Sequence, residues 1–447
     1  MNKQLILKKI RDGGVIGAGG AGFPTYKKLE TPVNHIIANG AECEPLLYKD
    51  REVMIRDQEF LFQGLSIMKE LTGAQTVTIA VKRKNKDILD LYKRTANKLA
   101  FNLFMLENVY PAGDEYILVY EIIGRRIPPG GIPLQVGAVV DNVETIINIA
   151  RAVNGHPVTD KYVTVTGAVK KPLTAVVPVG TSFHDCIEAA GGSTADDPTV
   201  LTGGVMMGGV QTDLSLPVTK TIGGLIVLPS DHYLVGRKTA SKETYRRIGH
   251  GQCDQCSICT ELCPRYLLGY PIQPHLVMRT LLMTGEAKNR HSLWAQYCCE
   301  CNICSLFACP EGLDPKNICS DAKQLLQEIK QVRQPDELAG FFTEVHPIRK
   351  GREVPIEMLT QRLGLNAFEK KAAFAKVDFN LQRAVIPLDT HIGAPALVNV
   401  AVGDTVKRGD LIGIAPDGQL GCSVHASIDG KVTTIDHIGI HIRASNF

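Results

Sequence analysis

The sequence of 447 residues lacks the features that mark several classes of protein. Its formal net charge is only +3, which is too small to indicate a nucleic-acid partner. No uninterrupted apolar run approaches the roughly 18 residues of a membrane-spanning helix. The N-terminus has no apolar core of the kind found in signal peptides. We therefore expect a cytoplasmic protein with no membrane span and no nucleic-acid partner.

The chain is too long for one ordinary domain, and its length suggests about three. A hydrophobic content of 44% and a charged content of 21% are ordinary for globular proteins. The cysteines are distributed unusually, because ten of the thirteen lie between residues 253 and 319. Disulfide scaffolds are typically short secreted chains with dispersed cysteines. A dense group in a long cytosolic chain indicates metal binding instead.

Two runs of cysteines indicate the metal chemistry. The run CDQCSICTELCP has x2, x2 and x3 gaps, the pattern of bacterial ferredoxins, and the run CCECNICSLFACP has x2, x2 and x4 gaps. One run alone is also compatible with zinc, whereas two runs that both close on Cys-Pro indicate a pair of 4Fe–4S clusters. In two-cluster ferredoxins the last cysteine of each run binds the other cluster. This crossing predicts Cys253, Cys256, Cys259 and Cys309 for one cluster, and Cys298, Cys301, Cys304 and Cys263 for the other.

The ligand set of the second run has one open point. Its last gap is one residue longer than in the first run, and the adjacent Cys299 could replace Cys298 as a ligand. We prefer Cys298 because its x2 spacing repeats the first run. Cys319 follows on a helical segment and is expected to be a small core residue. The 34 residues between the runs include helical periodicity, which predicts a helical dicluster domain.

A glycine motif, GAGGAGFPT at residues 17–25, matches the G-x-G-x-x-G pattern of nucleotide-binding loops. A Rossmann turn needs a buried strand before this motif and a helix that starts within it. Here the preceding residues predict an amphipathic helix with apolar Leu5, Ile6 and Ile10, and Pro24 falls where the next helix would run. The loop is therefore either a non-Rossmann backbone cradle for phosphate or a flexible turn without a ligand.

Two further segments accompany this loop. They are IANGAECEPLLYKDREVMIRD (37–57), which begins as a strand and ends as a helix, and VVDNVETIINIA (139–150). Together the three motifs resemble the NADH- and FMN-binding flavoprotein subunit of respiratory complex I. They are more similar still to RnfC subunits of ion-pumping ferredoxin:NAD oxidoreductases and to PduS-type cobalamin reductases of propanediol-utilisation microcompartments. The resemblance implies an FMN site, with NADH binding over the flavin face.

The resemblance also implies roles for single residues. The glycines would let backbone N–H groups approach the FMN phosphate, with a lysine beside it. Side chains of the second segment would lie along the flavin, and those of the third would close its pocket. A glutamate in YPAGDEYILVYEI would face the nicotinamide nucleotide. The implied cofactor-binding residues are Gly17, Gly19, Gly20, Gly22, Lys28, Asn39, Glu42, Glu115, Asn142 and Thr145.

The remaining segments resemble further domains of these families. Residues 161–192 read as strand, turn, strand and helix, where the family has a β-grasp SLBB domain, and the following GGVMMGGV is assigned no chemistry. Residues 388–435 alternate short apolar runs with glycine turns and resemble the barrel-sandwich hybrid of biotinyl and lipoyl carriers. Gln419 replaces the carrier lysine, which predicts a structural or docking domain. RnfC subunits have such a domain at the N-terminus, whereas PduS-type reductases have it at the C-terminus, as here.

We therefore expect a multidomain α/β protein with four domains and a connecting segment. The predicted parts are an α/β FMN/NADH-binding domain at 1–155, an SLBB β-grasp domain at 156–240, a helical ferredoxin-like domain with two 4Fe–4S clusters at 241–330, a helical linker at 331–380 and an all-β barrel-sandwich hybrid at 381–447.

The expected function is that of an NADH-dependent flavo-iron–sulfur reductase, because flavin accepts a hydride and releases electrons singly. The resemblance implies cobalamin as the final acceptor, reduced to cob(I)alamin inside or attached to a bacterial microcompartment. The implied partners are NADH, cobalamin or a cobalamin-carrying adenosyltransferase, and a microcompartment shell protein. The alternative is an RnfC-like protein that exchanges electrons between NADH and ferredoxin in a membrane complex.

Overall fold

The structure, a computed structural model, describes residues 2–445. Its N-terminal part is an α/β domain. The strands are β1 (His35–Gly40), β2 (Thr76–Lys82), β3 (Asn102–Leu106), β4 (Val109–Tyr110) and β5 (Ala138–Asn142). The helices are α1 (Lys3–Asp12), α2 (Thr25–Leu29), α3 (Lys49–Arg56), α4 (Gln58–Thr72), α5 (Lys86–Leu99), α6 (Glu115–Ile123) and α7 (Val143–Val153), with 3-10 turns at Arg83–Asn85 and Pro133–Val136.

The central sheet of this domain has the order β3-β2-β1-β5, and all neighbouring strands run parallel. Strand β1 suits this position because Ile36, Ile37 and Ala38 are fully buried, as expected for a strand covered on both faces. The strand order reverses beside β1, which is the place where open parallel sheets bind ligands at their carboxyl ends. Asn39 of β1 lies directly opposite Asn142 of β5 at that edge.

The glycine loop follows α1 without an intervening strand. Ile16 and Pro24 form only an isolated bridge before α2 begins at Thr25. This confirms that the loop is not a Rossmann turn. The amphipathic helix is also confirmed, although its buried face consists of Ile6, Leu7 and Ile10, while Leu5 is exposed.

The second domain contains a mixed five-stranded sheet of order β7-β6-β10-β8-β9. Strand, turn, strand and helix occur in the sequence order predicted for the SLBB segment. The elements are β6 (Asp160–Gly167), β7 (Leu173–Pro178), α8 (Phe183–Ala189), β8 (Pro198–Thr202), β9 (Gly209–Gln211), β10 (Gly224–Pro229) and α9 (Tyr233–Thr239).

The third domain is helical, and it carries both cysteine runs on loops, on short turns and on the short helix α11. The helices are α10 (Lys242–Gln252), α11 (Ile258–Glu261), α12 (Pro264–Leu267), α13 (Pro274–Met278), α14 (Gly285–Ser292) and α15 (Pro315–Glu328), with 3-10 turns at Arg279–Leu282 and Leu293–Ala295 and a π-helical turn at Cys304–Ala308. Cys319 is fully buried on α15, in the core of this domain.

The segment after α15 packs across the other domains. It contains α16 (Pro335–Phe341), a 3-10 turn at Arg349–Arg352, β11 (Val354–Pro355), α17 (Ile356–Arg362) and a 3-10 turn at Asn366–Phe368. Strand β11 pairs with β4 of the first domain, and Leu359, Leu363 and Leu365 are fully buried. Thr174 of the second domain forms a bridge with Phe374. This segment is therefore an integrated part of the fold as well as a connection.

The C-terminal domain is all β and lies against the start of the chain. Arg11 donates to the carbonyls of Ala415 and Pro416, and the Cys422 thiol donates to the carbonyl of Val15 at 3.4 Å. Its two sheets have the orders β12-β18-β17-β14 and β13-β15-β16. The strands are β12 (Arg383–Ile386), β13 (Leu397–Val398), β14 (Thr405–Val406), β15 (Leu411–Ile414), β16 (Val424–His425), β17 (Gly430–Ile435) and β18 (Ile440–Ala444).

Candidate functional site

A cavity of about 750 Å³ opens at the carboxyl edge of β1 and β5. This volume is typical of sites that enclose a cofactor or a small ligand. Three domains line it, and we call it the main cavity. Its walls include residues within the ranges 17–21, 39–50, 110–116 and 140–145 together with Lys28 of the first domain, residues within 202–209 and 221–223 of the second, and Arg265, Cys299 and Cys301 of the third.

The glycine loop presents free backbone donors to the main cavity. Within residues 2–445, the N–H groups of Gly19, Gly20 and Ala21 donate to no protein acceptor, whereas the Ala18 N–H donates to Thr145 Oγ1 at 2.8 Å. Gly20 has φ +119°, and a Cβ added there would meet no atom within 4 Å. Consecutive unpaired N–H groups form a concave site for an anion. The loop is therefore suited to hold a phosphate.

One lysine supplies positive charge near this loop. Lys28 Nζ lies 3.1 Å from Asp141 Oδ1 and 3.7 Å from Glu115 Oε1. Burial opposes its charge, but the two carboxylates outweigh burial and raise the pKa of Lys28. The second oxygen of Asp141, Oδ2, is buried and has no hydrogen-bond partner in the protein. Burial raises the pKa values of Glu115 and Asp141, while Lys28 opposes the increase. The wall of the main cavity thus contains a cation, Lys28, that is held in place by two carboxylates.

The two asparagines at the carboxyl edge are engaged with the protein. Asn39 donates to the carbonyl of Gly113 at 3.0 Å and accepts from the N–H of Ala41. Asn142 donates to both carboxylate oxygens of Asp50, and its side-chain oxygen caps the first turn of α7. Their side chains consequently hold the loops that shape the main cavity.

Glu42 is an acidic side chain of this wall with a raised pKa. Burial raises the pKa of Glu42 to about 7, and the nearby Asp50 adds to the increase. Lys49, which is almost fully buried, pairs with Asp50 at 2.6 Å and with Glu144 at 3.1 Å. These charges form a connected network under the wall of the main cavity.

Nine of the ten cofactor-binding residues predicted from the sequence line the main cavity, and Gly22 does not. A Cβ on Gly22 would lie 3.1 Å from the Thr390 carbonyl and 3.2 Å from Thr221 Cγ2. Its φ of +65° and this close approach indicate that Gly22 allows the glycine loop to pack against the second and C-terminal domains.

The glycine-rich segment GGVMMGGV, to which the sequence assigned no chemistry, forms part of the main cavity. The carboxylate of Glu44 accepts from the N–H groups of Met206 and Met207 at 2.8 and 3.0 Å. Asn302, from the second cysteine run, donates to the Met206 carbonyl at 3.1 Å. The segment thus joins three domains at this site. The sequence showed that this segment is rich in glycine, but it did not indicate which surface the segment would contact.

The cysteines surround two smaller cavities, grouped as the crossing rule predicts. The first cysteine cavity is lined by Cys253, Cys256, Cys259 and Cys309, and the second cysteine cavity by Cys263, Cys298, Cys299, Cys301 and Cys304. Within residues 2–445, no three Cys, His, Asp or Glu side chains converge as they would around one metal ion. Thiols that instead face a shared space fit a polynuclear cluster, and four thiolates are the usual complement of a 4Fe–4S cluster.

The main cavity and the second cysteine cavity share a wall. Arg265, Cys299 and Cys301 line both spaces. The first cysteine cavity contributes no residue to the main cavity, and Cys256 on its rim is exposed. The geometry therefore places the second cysteine cavity beside the main cavity, and gives the first cysteine cavity access to the surface.

Four family models match the chain. They are the Nuo51 FMN-binding domain over residues 10–151, the SLBB domain over 162–209, the 4Fe-4S dicluster domain over 252–314 and the RnfC barrel sandwich hybrid domain over 369–445. The chain therefore contains an FMN-binding domain and a domain for two 4Fe–4S clusters. The main cavity fits FMN through the free N–H groups of the glycine loop, the open space above Gly20, and Lys28.

The most informative similarities extend over nearly the whole sequence. The cobalamin reductase PduS of Salmonella typhimurium is 40% identical over 438 residues, which cover 98% of this chain and 96% of that protein. PduS of Citrobacter freundii is 40% identical over 446 residues, with the same coverage. The chain belongs to the PduS cobalamin reductase family. This membership makes it an oxidoreductase that contains flavin and iron–sulfur domains.

More distant relatives share part of this architecture. One component of the proton-translocating ferredoxin:NAD(+) oxidoreductase complex of Clostridium ljungdahlii is 32% identical over 275 residues, 59% of this chain and 58% of that protein. An NAD+-reducing NiFe-hydrogenase in the H2-reduced state has a similar fold, with a TM-score of 0.51 and 22% identity over 74% of this chain and 62% of its own. None of the helices in residues 2–445 combines the length and apolar character that a membrane crossing requires.

Proposed function

We propose that this protein oxidises NADH and reduces cobalamin, using FMN in the main cavity and one 4Fe–4S cluster in each cysteine cavity. One NADH supplies two electrons, which convert two cob(II)alamin to two cob(I)alamin and release NAD+ and one proton. The observation that carries the proposal is the wall shared by the main cavity and the second cysteine cavity. It separates the two redox sites by single side chains.

The residues of the main cavity bind and orient the reactants. The N–H groups of Gly19, Gly20 and Ala21 suit the FMN phosphate, and Lys28 adds charge. Flavin supplies the exchange between hydride transfer and single-electron transfer. Glu115 begins α6 and lines the main cavity, where it suits a polar group of the nicotinamide nucleotide. The chain therefore contributes orientation and electrostatics.

The positions of the cysteines support an order for the redox sites. The second cysteine cavity borders the main cavity, while the first cysteine cavity has the exposed Cys256 at its rim. The turn Cys304–Ala308 packs against α11, which carries Cys259, so the two cysteine cavities are neighbours. Electrons would pass from the main cavity to the second cysteine cavity, then to the first, and leave at the surface near Cys256.

The acceptor and the partners rest on family membership. The relatives that match 98% of this chain are cobalamin reductases, which supports cobalamin as the acceptor. We extend this to a cobalamin-carrying adenosyltransferase as the partner that receives the reduced cofactor. We also propose that the protein acts inside, or attached to, a bacterial microcompartment through a shell protein.

An anaerobic assay tests the acceptor. The purified protein, containing FMN and about eight irons per chain, is given NADH with either cob(II)alamin or ferredoxin. We expect rapid formation of cob(I)alamin. Reduction of ferredoxin without reduction of cobalamin would contradict the proposal and favour the RnfC-like alternative.

Two variants test the order of the sites. Cys256→Ala removes a predicted ligand of the exposed cluster, whereas Cys186→Ala changes a fully buried cysteine of the second domain that lines none of the three cavities. NADH should still bleach the flavin in both variants. Only Cys256→Ala should lose most cobalamin reduction. Loss of flavin bleaching in Cys256→Ala would contradict the proposed order.

A further inference from the structure

The charged residues around the two cysteine cavities differ in sign. The second cysteine cavity is lined by Arg265 and Lys316 and by no Asp or Glu. The first cysteine cavity is lined by Asp254 and Glu311 and by no Lys or Arg. The cysteine spacing does not predict this contrast, since the two runs are nearly alike.

Arg265 is held rigidly between the second cysteine cavity and the main cavity. Its side chain is only 10% exposed, and Nη2 lies 2.7 Å from Asp114 Oδ2. Its guanidinium carbon lies 3.4 Å from the centre of the Tyr116 ring, in a cation–π arrangement. Its Nε is buried and has no partner in the protein. A guanidinium is always charged, so a fixed positive charge lies in the shared wall.

The carboxylate of Asp114 offsets this charge at the cysteines only in part, because its effect at Cys299 is smaller than that of Arg265. One oxygen of Asp114 accepts from the N–H groups of Tyr116 and Ile117 and so caps α6, while the other binds Arg265. Asp114 lines the main cavity but not the second cysteine cavity, whereas Arg265 lines both. The positive end of the ion pair therefore lies on the cysteine side. Lys316 adds a second cation there, 3.5 Å from Glu300.

A cluster bound by four thiolates becomes more negative when it gains an electron. A fixed cation at close range stabilises the reduced form, and a carboxylate destabilises it, because the interaction is stronger where water is excluded. Net charge around the sulfur ligands is one of the quantities that set cluster potentials. The two cavity linings consequently act in opposite directions, with a larger effect from the buried Arg265 than from Asp254 and Glu311, which are exposed to solvent.

We propose that Arg265 and Lys316 raise the reduction potential of the cluster in the second cysteine cavity, and that Asp254 and Glu311 lower that of the cluster in the first. The proposal rests on the proposed function for the presence of both clusters. Arg265 acts as an electrostatic tuning residue in the wall beside the flavin. It favours the arrival of each electron on the neighbouring cluster.

The test is a redox titration of the anaerobic holoprotein, followed by electron paramagnetic resonance of the two reduced clusters. Arg265→Met and Lys316→Met should each shift one midpoint potential to a more negative value and leave the other unchanged. Asp254→Asn and Glu311→Gln should shift the other midpoint potential to a more positive value. Arg265→Lys, which keeps a cation, should shift the potential less than Arg265→Met.

Arg349→Met is the matched control. Arg349 is similarly buried, pairs with Glu121 and lies over the Tyr120 ring, but it lines neither cysteine cavity. Both midpoint potentials should be unchanged in this variant. If Arg265→Met does not fold, Arg265→Lys, Lys316→Met and the two acidic variants still decide the outcome.

The outcomes separate this inference from the proposed function. Unchanged potentials in all four charge-removing variants, in protein that retains FMN and about eight irons, would overturn the inference alone. Equal shifts of both clusters in every variant would also overturn it, because the effect would then be global. Absence of iron or flavin from the parent protein would overturn the proposed function together with the inference.

Discussion

The phenolic hydroxyl of Tyr110 donates a 2.8 Å hydrogen bond to the backbone carbonyl of Cys301. Tyr110 is 3% exposed at the end of β4 and lines the main cavity, while Cys301 lies in the wall shared with the second cysteine cavity. The flanking Glu300 and Asn302 adopt φ values of 58° and 68°, so this loop departs from ordinary backbone geometry. The hydroxyl therefore fixes the cysteine loop against the first domain.

Tyr110→Phe should remove this restraint. Loss of the hydrogen bond leaves a buried carbonyl unpaired and should lower the free energy of unfolding by about 1–2 kcal/mol. Electron transfer from flavin to iron–sulfur clusters, measured by stopped-flow absorbance, should also slow. Tyr92→Phe is the control, because the Tyr92 hydroxyl donates to the buried Met54 carbonyl and neither residue lines any of the three cavities. Tyr92→Phe should lower the free energy of unfolding by a similar amount without changing the rate of electron transfer. Equal slowing of electron transfer in both variants would contradict the role of Tyr110 in fixing the cysteine loop.

Gly20→Ala should weaken FMN binding by at least about tenfold. Its φ of +119° disfavours any residue with a Cβ, and relaxation of the backbone would turn the free N–H groups of the loop away from the phosphate. Fluorescence titration of flavin-free protein with FMN measures the change. The control is Gly73→Ala at the end of α4, where φ is +70° and no atom is within 4 Å of the added Cβ. That variant should lose about 1 kcal/mol of stability and retain FMN affinity.

Cys298→Ala should lose the cluster of the second cysteine cavity, so that iron falls from about eight to about four per chain. Cys299→Ala should retain it. Both cysteines line this cavity, and only the x2 spacing of Cys298 distinguishes them as ligands. Iron analysis and electron paramagnetic resonance of the two variants decide between them. The opposite pattern would assign the ligand to Cys299.

Lys220 should make stability depend on pH in the alkaline range. Burial lowers the pKa of Lys220 from its ordinary 10.5 to about 8, and its Nζ donates only to the carbonyls of Gly14 and Ser423. Between these pH values the unfolded chain holds a proton that the folded protein lacks, so this group adds stability as pH rises. Lys220→Met should flatten the pH dependence of chemical denaturation in that window. The control is Lys431→Met, at an exposed lysine of β17, which should have the same pH dependence of stability as the parent protein. The prediction would be contradicted if the stability of Lys220→Met changed with pH in parallel with that of the parent.

The sequence predicted the parts of the site that depend on local spacing. Residues that are close together in the chain, such as the cysteines of each run or Gly17 to Gly20, can surround a single ligand in only a few arrangements. In the structure the cysteines of each run, apart from the last, line a shared cavity, and Gly17 to Gly20 line the main cavity. The crossing pattern of two-cluster ferredoxins supplied the long-range information that grouped Cys309 with the first run, and Cys309 lines the same cavity as that run.

The residues that sequence reasoning missed depend on contacts between domains. Met206 and Met207 contact Glu44, which belongs to another domain and lies more than 150 residues earlier in the sequence. No local periodicity of the sequence predicts such a contact. Arg265 was overlooked for the same reason, since a single arginine after Cys-Pro carries no signal until Asp114 and Tyr116 are placed beside it. Gly22 fits the nucleotide pattern, but it packs against Thr221 and Thr390 instead of the cavity.

The contacts of Arg11 with Ala415 and Pro416 join helix α1 to the C-terminal β domain. Ser423 and Gly22 extend this contact through backbone hydrogen bonds to Arg11 and Ile392. A circular permutant that begins with the terminal β domain would keep these neighbours, because only the connecting peptide would change.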